Sequence, residues 1–291
     1  MTRLAILSDI HGNLPALDAV LEDMRPFEVD HIVVAGDSIN WGPFSLEVMY
    51  RLHEINASVM RGNHELYLLD IDTPRMPAGW DGFTMPRLLA ENLPADVLNR
   101  ISCLPDTLQL RFRDAPSVRV VHGTPNNHWQ GIYHDSTDDE IRGWLAGVAE
   151  RVVIAGHTHL RLRRRVDDWL IINPGSVGMT FDRNPATSYV ILEGNAQGWK
   201  VNFRRVPYDQ QALFDAYLAK GYSEKMPLEA RLMLADFERG FPHVYAFNIW
   251  KAQHHPNEAT SDALIDAFFA LDNKDDYVKP IYRVENLQDV E

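Results

Sequence analysis

The sequence predicts an α/β fold: a two-sheet αββα sandwich with helices on its outer faces, followed by a mainly helical C-terminal extension. Three features carry that expectation. Up to residue 160, short apolar runs alternate with segments of helical apolar spacing. Four strand-like runs then follow in direct succession, and from Tyr208 the pattern becomes helical. Alternating strands and helices imply a sheet covered by helices, and strands in succession imply a second, more antiparallel sheet.

The first apolar run, Leu4–Leu7, reads as a buried strand ending in Ser8-Asp9-Ile10-His11-Gly12-Asn13. Leu14, Leu17, Val20, Leu21 and Met24 then share one helical face, with Asn13 as N-cap and Pro15 inside the first turn. His31–Ala35 and Ala57–Met60 are further buried runs, stopped by Gly36-Asp37 and Gly62-Asn63. Thr107–Phe112 alternates Leu108, Leu110 and Phe112, and with Val118–Val121 it suggests a hairpin. Arg151–Ala155 is a short strand before Gly156-His157. Helical spacing covers 14–24, 44–55, 86–101 and 137–148. Leu160–Val166, Trp169–Ile172, Thr187–Leu192 and Trp199–Val206 are the successive strands, with turns at Asp167-Asp168 and Gly194-Asn195. The extension offers helices at 209–220, 227–239 and 260–271 and a strand-like stretch at Val244–Trp250. Pro207, Gly221 and Pro227 punctuate the boundary, which gives a core over 1–207 and an extension over 208–291 packed on it.

A chain of 291 residues can bury about 75% of its unfolded surface, enough for a sizeable core. No run of about 18 apolar residues occurs, so no membrane span is expected. Met1-Thr2-Arg3 leads into a strand-like run unlike a secretion signal, and a cytoplasmic location is expected. The single cysteine, Cys103, excludes an intrachain disulfide and a thiolate metal site. It sits at a helix end before Leu104-Pro105 and is expected to be a small buried apolar group. The net charge of −13 argues against a general nucleic-acid-binding surface, which needs a basic footprint. Residues 208–291 hold 15 Asp/Glu against 8 Lys/Arg, a net of −7, as a solvated acidic helical layer would.

Five segments place metal-ligand side chains directly after predicted strands: Asp9-Ile10-His11, Gly36-Asp37, Gly62-Asn63-His64-Glu65, His122-Gly123 and Gly156-His157-Thr158-His159. Parallel α/β sheets gather function at the carboxyl ends of their strands. A strand order that unites those ends would assemble Asp9, His11, Asp37, Asn63, His122, His157 and His159 into one ligand set. Nitrogen and oxygen ligands without sulfur suit Mn, Fe, Zn or Ni. Asp37, after a glycine in a tight turn, could give one oxygen to each of two metals. His157 and His159 share a face on an extended stretch and reach separate metals across a turn. Singly, Asp-x-His and Gly-Asp are ordinary turn elements. Five in series point to a metal-dependent hydrolytic site.

This series resembles the calcineurin-like metallophosphoesterase superfamily. The strings Ser8-Asp9-Ile10-His11-Gly12-Asn13, His122-Gly123-Thr124-Pro125 and Asn173-Pro174-Gly175-Ser176-Val177-Gly178 are similar to its bacterial phosphodiesterase-like branch. The resemblance spans residues 3–206 and implies two adjacent divalent metals, manganese favoured. Asp9, His11 and His159 would hold the first, Asn63, His122 and His157 the second, and Asp37 would bridge. His64 would be the catalytic imidazole, with Asn13 and Arg61 as further candidates for substrate contact. The implied activity is a binuclear phosphoesterase acting on a small phosphodiester or nucleotide, with a metal-bridging hydroxide attacking phosphorus in line. Two alternatives stand beside it: a phosphomonoesterase or Ser/Thr protein phosphatase-like enzyme, and a metal-degenerate protein-binding scaffold. The scaffold would be free to lose ligands that this chain keeps. Related Ser/Thr protein phosphatases carry Asp-Arg-Gly shortly after the Gly-Asp, whereas Asn40-Trp41-Gly42 stands here. The phosphate-clamping arginine is therefore missing, although Arg61-Gly62-Asn63-His64-Glu65 looks like that branch's version.

The segment 126–135 is rich in aromatic and imidazole side chains (His128, Trp129, Tyr133, His134). It reads as a loop anchored by Trp129, with a lid over the site as the rival. Arg161-Leu162-Arg163-Arg164-Arg165 reads as the solvated face of a strand. The bulky residues of the extension are expected to pack it on the core; a cap over the site or a contact between copies in a homo-oligomer are the rival expectations.

Overall fold

The computed structural model describes residues 1–283. The chain opens with β1 (Thr2–Leu7), α1 (Leu14–Met24), β2 (His31–Val34), α2 (Ser45–Glu54) and β3 (Ser58–Val59). α3 (Asn63–Asp70), α4 (Thr84–Asn92) and α5 (Ala95–Ser102) lead to β4 (Leu108–Leu110), β5 (Val118–Val121), α6 (Asp138–Trp144) and β6 (Val152–Ala155). β7 (Arg161–Val166), β8 (Trp169–Pro174), β9 (Thr187–Asn195) and β10 (Gly198–Val206) complete two five-stranded sheets. Their orders are β10-β9-β1-β2-β3 and β4-β5-β6-β8-β7.

Apolar side chains on both faces of β1 place it in the middle of the first sheet. Leu4 and Ile6 turn inward to meet Val120, Ile154 and Ile172 of the second sheet. Ala5 and Leu7 turn outward under α1 and α2. On the far side, α6 covers Val153, Ile171 and Val121. The four layers are therefore helix, sheet, sheet, helix, as the alternation of apolar residues requires. β1, β2 and β3 run parallel, and so do β5, β6 and β8. β4 and β5 form the expected antiparallel hairpin.

Four expectations are corrected. The strands after residue 160 do not make a sheet of their own: β7 and β8 extend the second sheet, while β9 and β10 return to the first beside β1. The helix expected over 86–101 is two helices, because Pro94 holds Leu93 out of the helical region. Val244–Trp250 lies within a helix; His243, Ala246, Phe247 and Trp250 are buried at a spacing of three and four, a helical period rather than a strand's. Cys103 is exposed, since its helix turns Val97 and Ile101 inward.

The extension, described as far as Arg283, consists of α7 (Gln210–Ala219), α8 (Tyr222–Lys225), α9 (Pro227–Arg239), α10 (His243–His254) and α11 (Asp262–Phe269). Leu213, Tyr217, Met233 and Phe237 pack with Leu68, Leu89 and Ile101 of the helices before β4. Phe247, Trp250 and Phe268 form a second cluster with Ile281, Tyr282 and Leu160, which follows β6. No helix among the described residues is long and apolar enough to cross a membrane.

After β8 the chain passes directly beneath the β1 loop. Val177 N–H donates to Ser8 O at 3.0 Å, and Gly178 N–H to Asp9 O at 2.9 Å. The approach leaves no room for a side chain: a Cβ on Gly178 would stand 1.9 Å from Ile10 O. Gly178→Ala is expected to lower stability by about 1–3 kcal/mol, the usual range for forced overpacking. Thermal denaturation checks this, and an unchanged melting temperature would contradict so tight a contact.

Candidate metal centre

Parallel pairing brings one end of β1, β2 and β3 together in one sheet and of β5 and β6 in the other. Asp9 and His11 follow β1, Asp37 follows β2, Asn63 and His64 follow β3, His122 follows β5, and His157 and His159 follow β6. The turns are sharp. Asp9, His11, Asp37, His157 and His159 all have positive φ, from 49° to 68°. Left-handed backbone costs an L-residue roughly 1–2 kcal/mol, so each turn must be held from outside. Asp9 N–H donates to Gly36 O at 3.1 Å, His11 N–H to Asp37 O at 2.9 Å, and Gly156 N–H to His122 O at 2.7 Å. The Asn173 amide donates to Gly156 O at 2.7 Å, and Ser176 Oγ to Asp9 O at 2.7 Å. The string 173–178 thus positions the ligand turns and stands back from the ligand atoms themselves.

The seven ligand-type side chains converge in two groups. His159 Nε2 lies 3.3 Å from Asp9 Oδ1 and 3.2 Å from His11 Nε2. Asn63 Oδ1 lies 2.9 Å from both His122 Nε2 and His157 Nδ1. Asp37 Oδ2 stands between the groups, 3.8 Å from His11 Nε2 and 3.2 Å from His122 Nε2. Its Oδ1 accepts the His64 N–H at 2.8 Å. Oδ2 is thus the Asp37 oxygen that faces both groups. His122 Nδ1 faces Ala35 O at 2.8 Å and His159 Nδ1 faces Met179 O, so each ring turns Nε2 inward.

This set fits divalent cations. Asp9 Oδ1 is buried with no well-formed hydrogen bond, its nearest polar neighbour being the His159 imidazole at 3.3 Å, a costly state for a carboxylate that a cation would relieve. Burial drives His157 down to about 3, with the charge on His122 acting the same way. At His122 burial is outweighed by Asp37, which draws the ring up to about 9. Two carboxylates and four ligand imidazoles share one buried volume, and metals would displace the proton that Asp37 attracts.

Glu65 has no role in the sequence reading, yet it ties the turns together. Fully buried, it accepts N–H bonds from Gly62 at 2.6 Å, Asp37 at 3.0 Å, Ser38 at 2.7 Å and Ile39 at 3.3 Å. One carboxylate thereby fixes the end of β2 to the end of β3. Burial, and then the Asp37 charge, push its carboxyl up to about 7. The signal was available: Glu three residues after a helix-capping position is a capping arrangement. Gly62 is required by a different contact, since a Cβ there would run into Asp37 Oδ1.

His64 lies at the head of α3 among rings: His11 and Trp41 at 4.6 Å and Tyr67 at 5.1 Å between centroids. Its Nδ1 has no hydrogen-bond partner, and burial lowers the ring to about 4. Two expected substrate contacts are placed elsewhere. Asn13 is buried; its side chain accepts from Ala16 N at 3.1 Å as the N-cap and donates to Gly178 O at 2.8 Å and Tyr208 Oη at 3.0 Å. Arg61 pairs with Asp106 at 2.8 Å, and neither residue lines the cavity at the centre.

That cavity, about 340 Å³, has His11, Asp37, Asn63, His64, His157 and His159 on its floor. Trp41, Tyr67, Phe83 and Trp129 of the core form one side. Tyr245 and Asn248 of α10, Asp236 of α9, and Lys279 and Tyr282 beyond α11 form another. The extension therefore caps the site as well as packing on the core. Tyr282 Oη donates to Thr158 O at 3.1 Å, between two ligand imidazoles, and Phe181 stacks on His159 at 4.3 Å. The 126–135 loop is held by buried Ile132, with Trp129 exposed at the rim instead of anchoring it.

A sulfur-free ligand set at the strand ends of a two-sheet sandwich defines a metal-dependent hydrolase. Residues 2–197 match the calcineurin-like phosphoesterase superfamily domain, and the chain belongs to that superfamily. The structure is similar to that of a metallophosphoesterase from Sphaerobacter thermophilus, with a TM-score of 0.66, 25% identity, and coverage of 82% of this chain and 99% of the other. The symmetrical bis(5′-nucleosyl)-tetraphosphatase of Baumannia cicadellinicola is 33% identical over 127 residues, 42% of each chain, so the likeness spans less than half of that enzyme. Serine/threonine-protein phosphatase 1 of Salmonella typhimurium is 30% identical over 175 residues, 56% of this chain and 80% of that one. The protein is a metal-dependent phosphoesterase.

Glu65→Gln replaces an acceptor oxygen with an NH₂ that faces backbone donors. Leaving such groups unpaired costs about 1–3 kcal/mol, and the turns carrying Asp37 and Asn63 should loosen with it. The variant is expected to melt lower and to bind less metal by elemental analysis. Full metal occupancy at unchanged stability would overturn the role given to Glu65.

Proposed function

We propose that this phosphoesterase hydrolyses a small phosphodiester or nucleotide by direct in-line attack of water on phosphorus, with manganese as the working metal. One observation carries the substrate class: the cavity has aromatic walls and no arginine among its described lining residues. A phosphomonoester presents a dianion at neutral pH and favours a cationic clamp. A diester presents one charge and an organic group on either side. Trp41 occupies the segment where related protein phosphatases carry the clamping arginine, and its ring lies against His64. The likeness to a nucleosyl-tetraphosphatase supports the same reading.

Asp9, His11 and His159 would hold one metal and Asn63, His122 and His157 the other, with Asp37 between them. Bound there, divalent ions lower the pKa of a coordinated water and neutralise charge on the phosphoryl oxygens. The chain itself does the rest. Glu65 and the 173–178 turn fix the ligands before substrate arrives, so reorganisation at the moment of reaction is small. His64 borders the cavity beside Asp37, where its ring would give a proton or an N–H bond to the leaving oxygen and steady developing charge. The phenylalanine, tyrosine and tryptophan walls exclude water from the organic groups.

The likeness to a protein phosphatase favours a second reading, a phosphomonoesterase. A cavity of about 340 Å³ lies at the small end of ligand pockets and suits a small molecule better than a protein surface. Manganese-loaded protein is expected to cleave bis(p-nitrophenyl) phosphate in preference to p-nitrophenyl phosphate. The reverse preference would establish the monoesterase, and inactivity on both with metals bound would favour the binding scaffold. Asp37→Asn should lose metal and activity together. His64→Ala should keep both metals and lose turnover by about 10²–10⁴-fold; an emptied metal site in that variant would overturn the division of roles.

A further inference from the structure

The extension, together with Trp129 of the 126–135 loop, places three chemical features on the cavity that the metal centre does not require. Among the described residues, few large apolar side chains are exposed, and two of them border this cavity: Trp129 at 43% and Tyr245 at 39%. Exposed aromatic rings at a cavity rim offer faces on which a planar group can stack. Lys279 is the only cationic side chain lining the cavity among the described residues apart from its imidazoles. Its ammonium lies 3.1 Å from Tyr133 Oη and 4.3 Å from that ring's centroid, and it pairs with no carboxylate among the described residues. Asp236 caps α10 with Oδ1, which accepts the backbone N–H groups of His243 and Val244. Asp236 lines the cavity, and its buried Oδ2 has no hydrogen-bond partner.

We propose that the C-terminal extension, facing the 126–135 loop, makes this enzyme selective for nucleotides: Trp129 of the loop and Tyr245 of the extension receive the base, and Lys279 receives a phosphate other than the one being cleaved. Asp236 Oδ2 supplies an acceptor for a hydroxyl or amine of the same ligand. A planar base, an extra anion and a hydrogen-bond donor occur together in a nucleoside with two or more phosphates. The inference rests on the phosphoesterase reading above and adds the identity of the group beside the scissile bond. Aromatic stacking tolerates any base, so the expected selectivity is for nucleotides as a class.

The test uses the full chain loaded with manganese and two esters that release the same p-nitrophenol: thymidine 5′-(p-nitrophenyl phosphate) and methyl p-nitrophenyl phosphate. The wild type is expected to favour the nucleoside ester by at least tenfold in kcat/KM. Trp129→Ala and Tyr245→Ala should each reduce that ratio by about fivefold or more, the loss of one base stack, whereas Tyr245→Phe should retain it. ADP should inhibit the wild type more strongly than AMP, and Lys279→Ala should remove the difference. A wild-type ratio near one, or a ratio unmoved by the two alanine variants, would overturn the aromatic walls while leaving the phosphoesterase reading intact. Equal inhibition by ADP and AMP in the wild type would overturn the role of Lys279. If neither ester is cleaved, the diesterase reading fails. Tryptophan fluorescence during ADP titration then decides the binding site alone: quenching that Tyr245→Ala weakens would support it, and no quenching would end it.

Discussion

The structure depends on holding five ligand residues in left-handed backbone at the ends of buried strands. Aspartate and histidine enter the left-handed region more readily than most residues, yet it stays uncommon even for them, and five together need support from outside their own turns. The turns persist because each is pinned by a neighbour: β1's turn by β2's carbonyls and by Ser176 and Gly178, β6's turn by His122 and Asn173. Glu65 is the densest of these pins, with four backbone N–H groups on one carboxylate. Strain of this kind is found where a surrounding fold over-determines the geometry, and its yield is preorganisation.

The electrostatics follow the same logic. Burial disfavours charge on the imidazoles, and it drives His157 and His64 well below the usual histidine range. Asp37 works against burial at His122, where opposite charge wins. A metal-free cluster of this density weakens the fold, and the three apolar layers of the sandwich offset it. Cations at the same atoms would turn the repulsive neighbours into ligands, which is why the residue types make sense together only as a metal centre.

The extension changes what the family's core presents to solvent. Without α9, α10 and the segment around Tyr282, the strand ends would open onto an exposed face. With them, the metal centre lies at the floor of a cavity bounded on several sides. The attachment is intimate: Tyr282 reaches the backbone between His157 and His159, and Arg183 joins Asp275 while stacking on Phe241 at 3.9 Å. One wall of the cavity and the support of one ligand turn are therefore built from the same extension.

By itself the sequence determined the chemistry. Strand-end placement of Asp9, His11, Asp37, Asn63, His122, His157 and His159 follows from apolar runs and punctuation, and those signals are local. The layered sandwich follows for the same reason. The sequence left undecided whatever depends on distant pairing. Which sheet β9 and β10 join is set by where the chain goes after Gly178, and β1 accepts them only because its other edge is free. Asp37's single inward oxygen, the structural duties of Asn13 and the clamp at Glu65 are choices among partners far apart in the chain. Val244–Trp250 became a helix because burial has a period that apolar composition alone does not display. Tertiary structure alone decided that the extension forms a wall of the site, since its side chains meet the cavity through contacts more than a hundred residues apart in sequence, such as Tyr282 with Thr158.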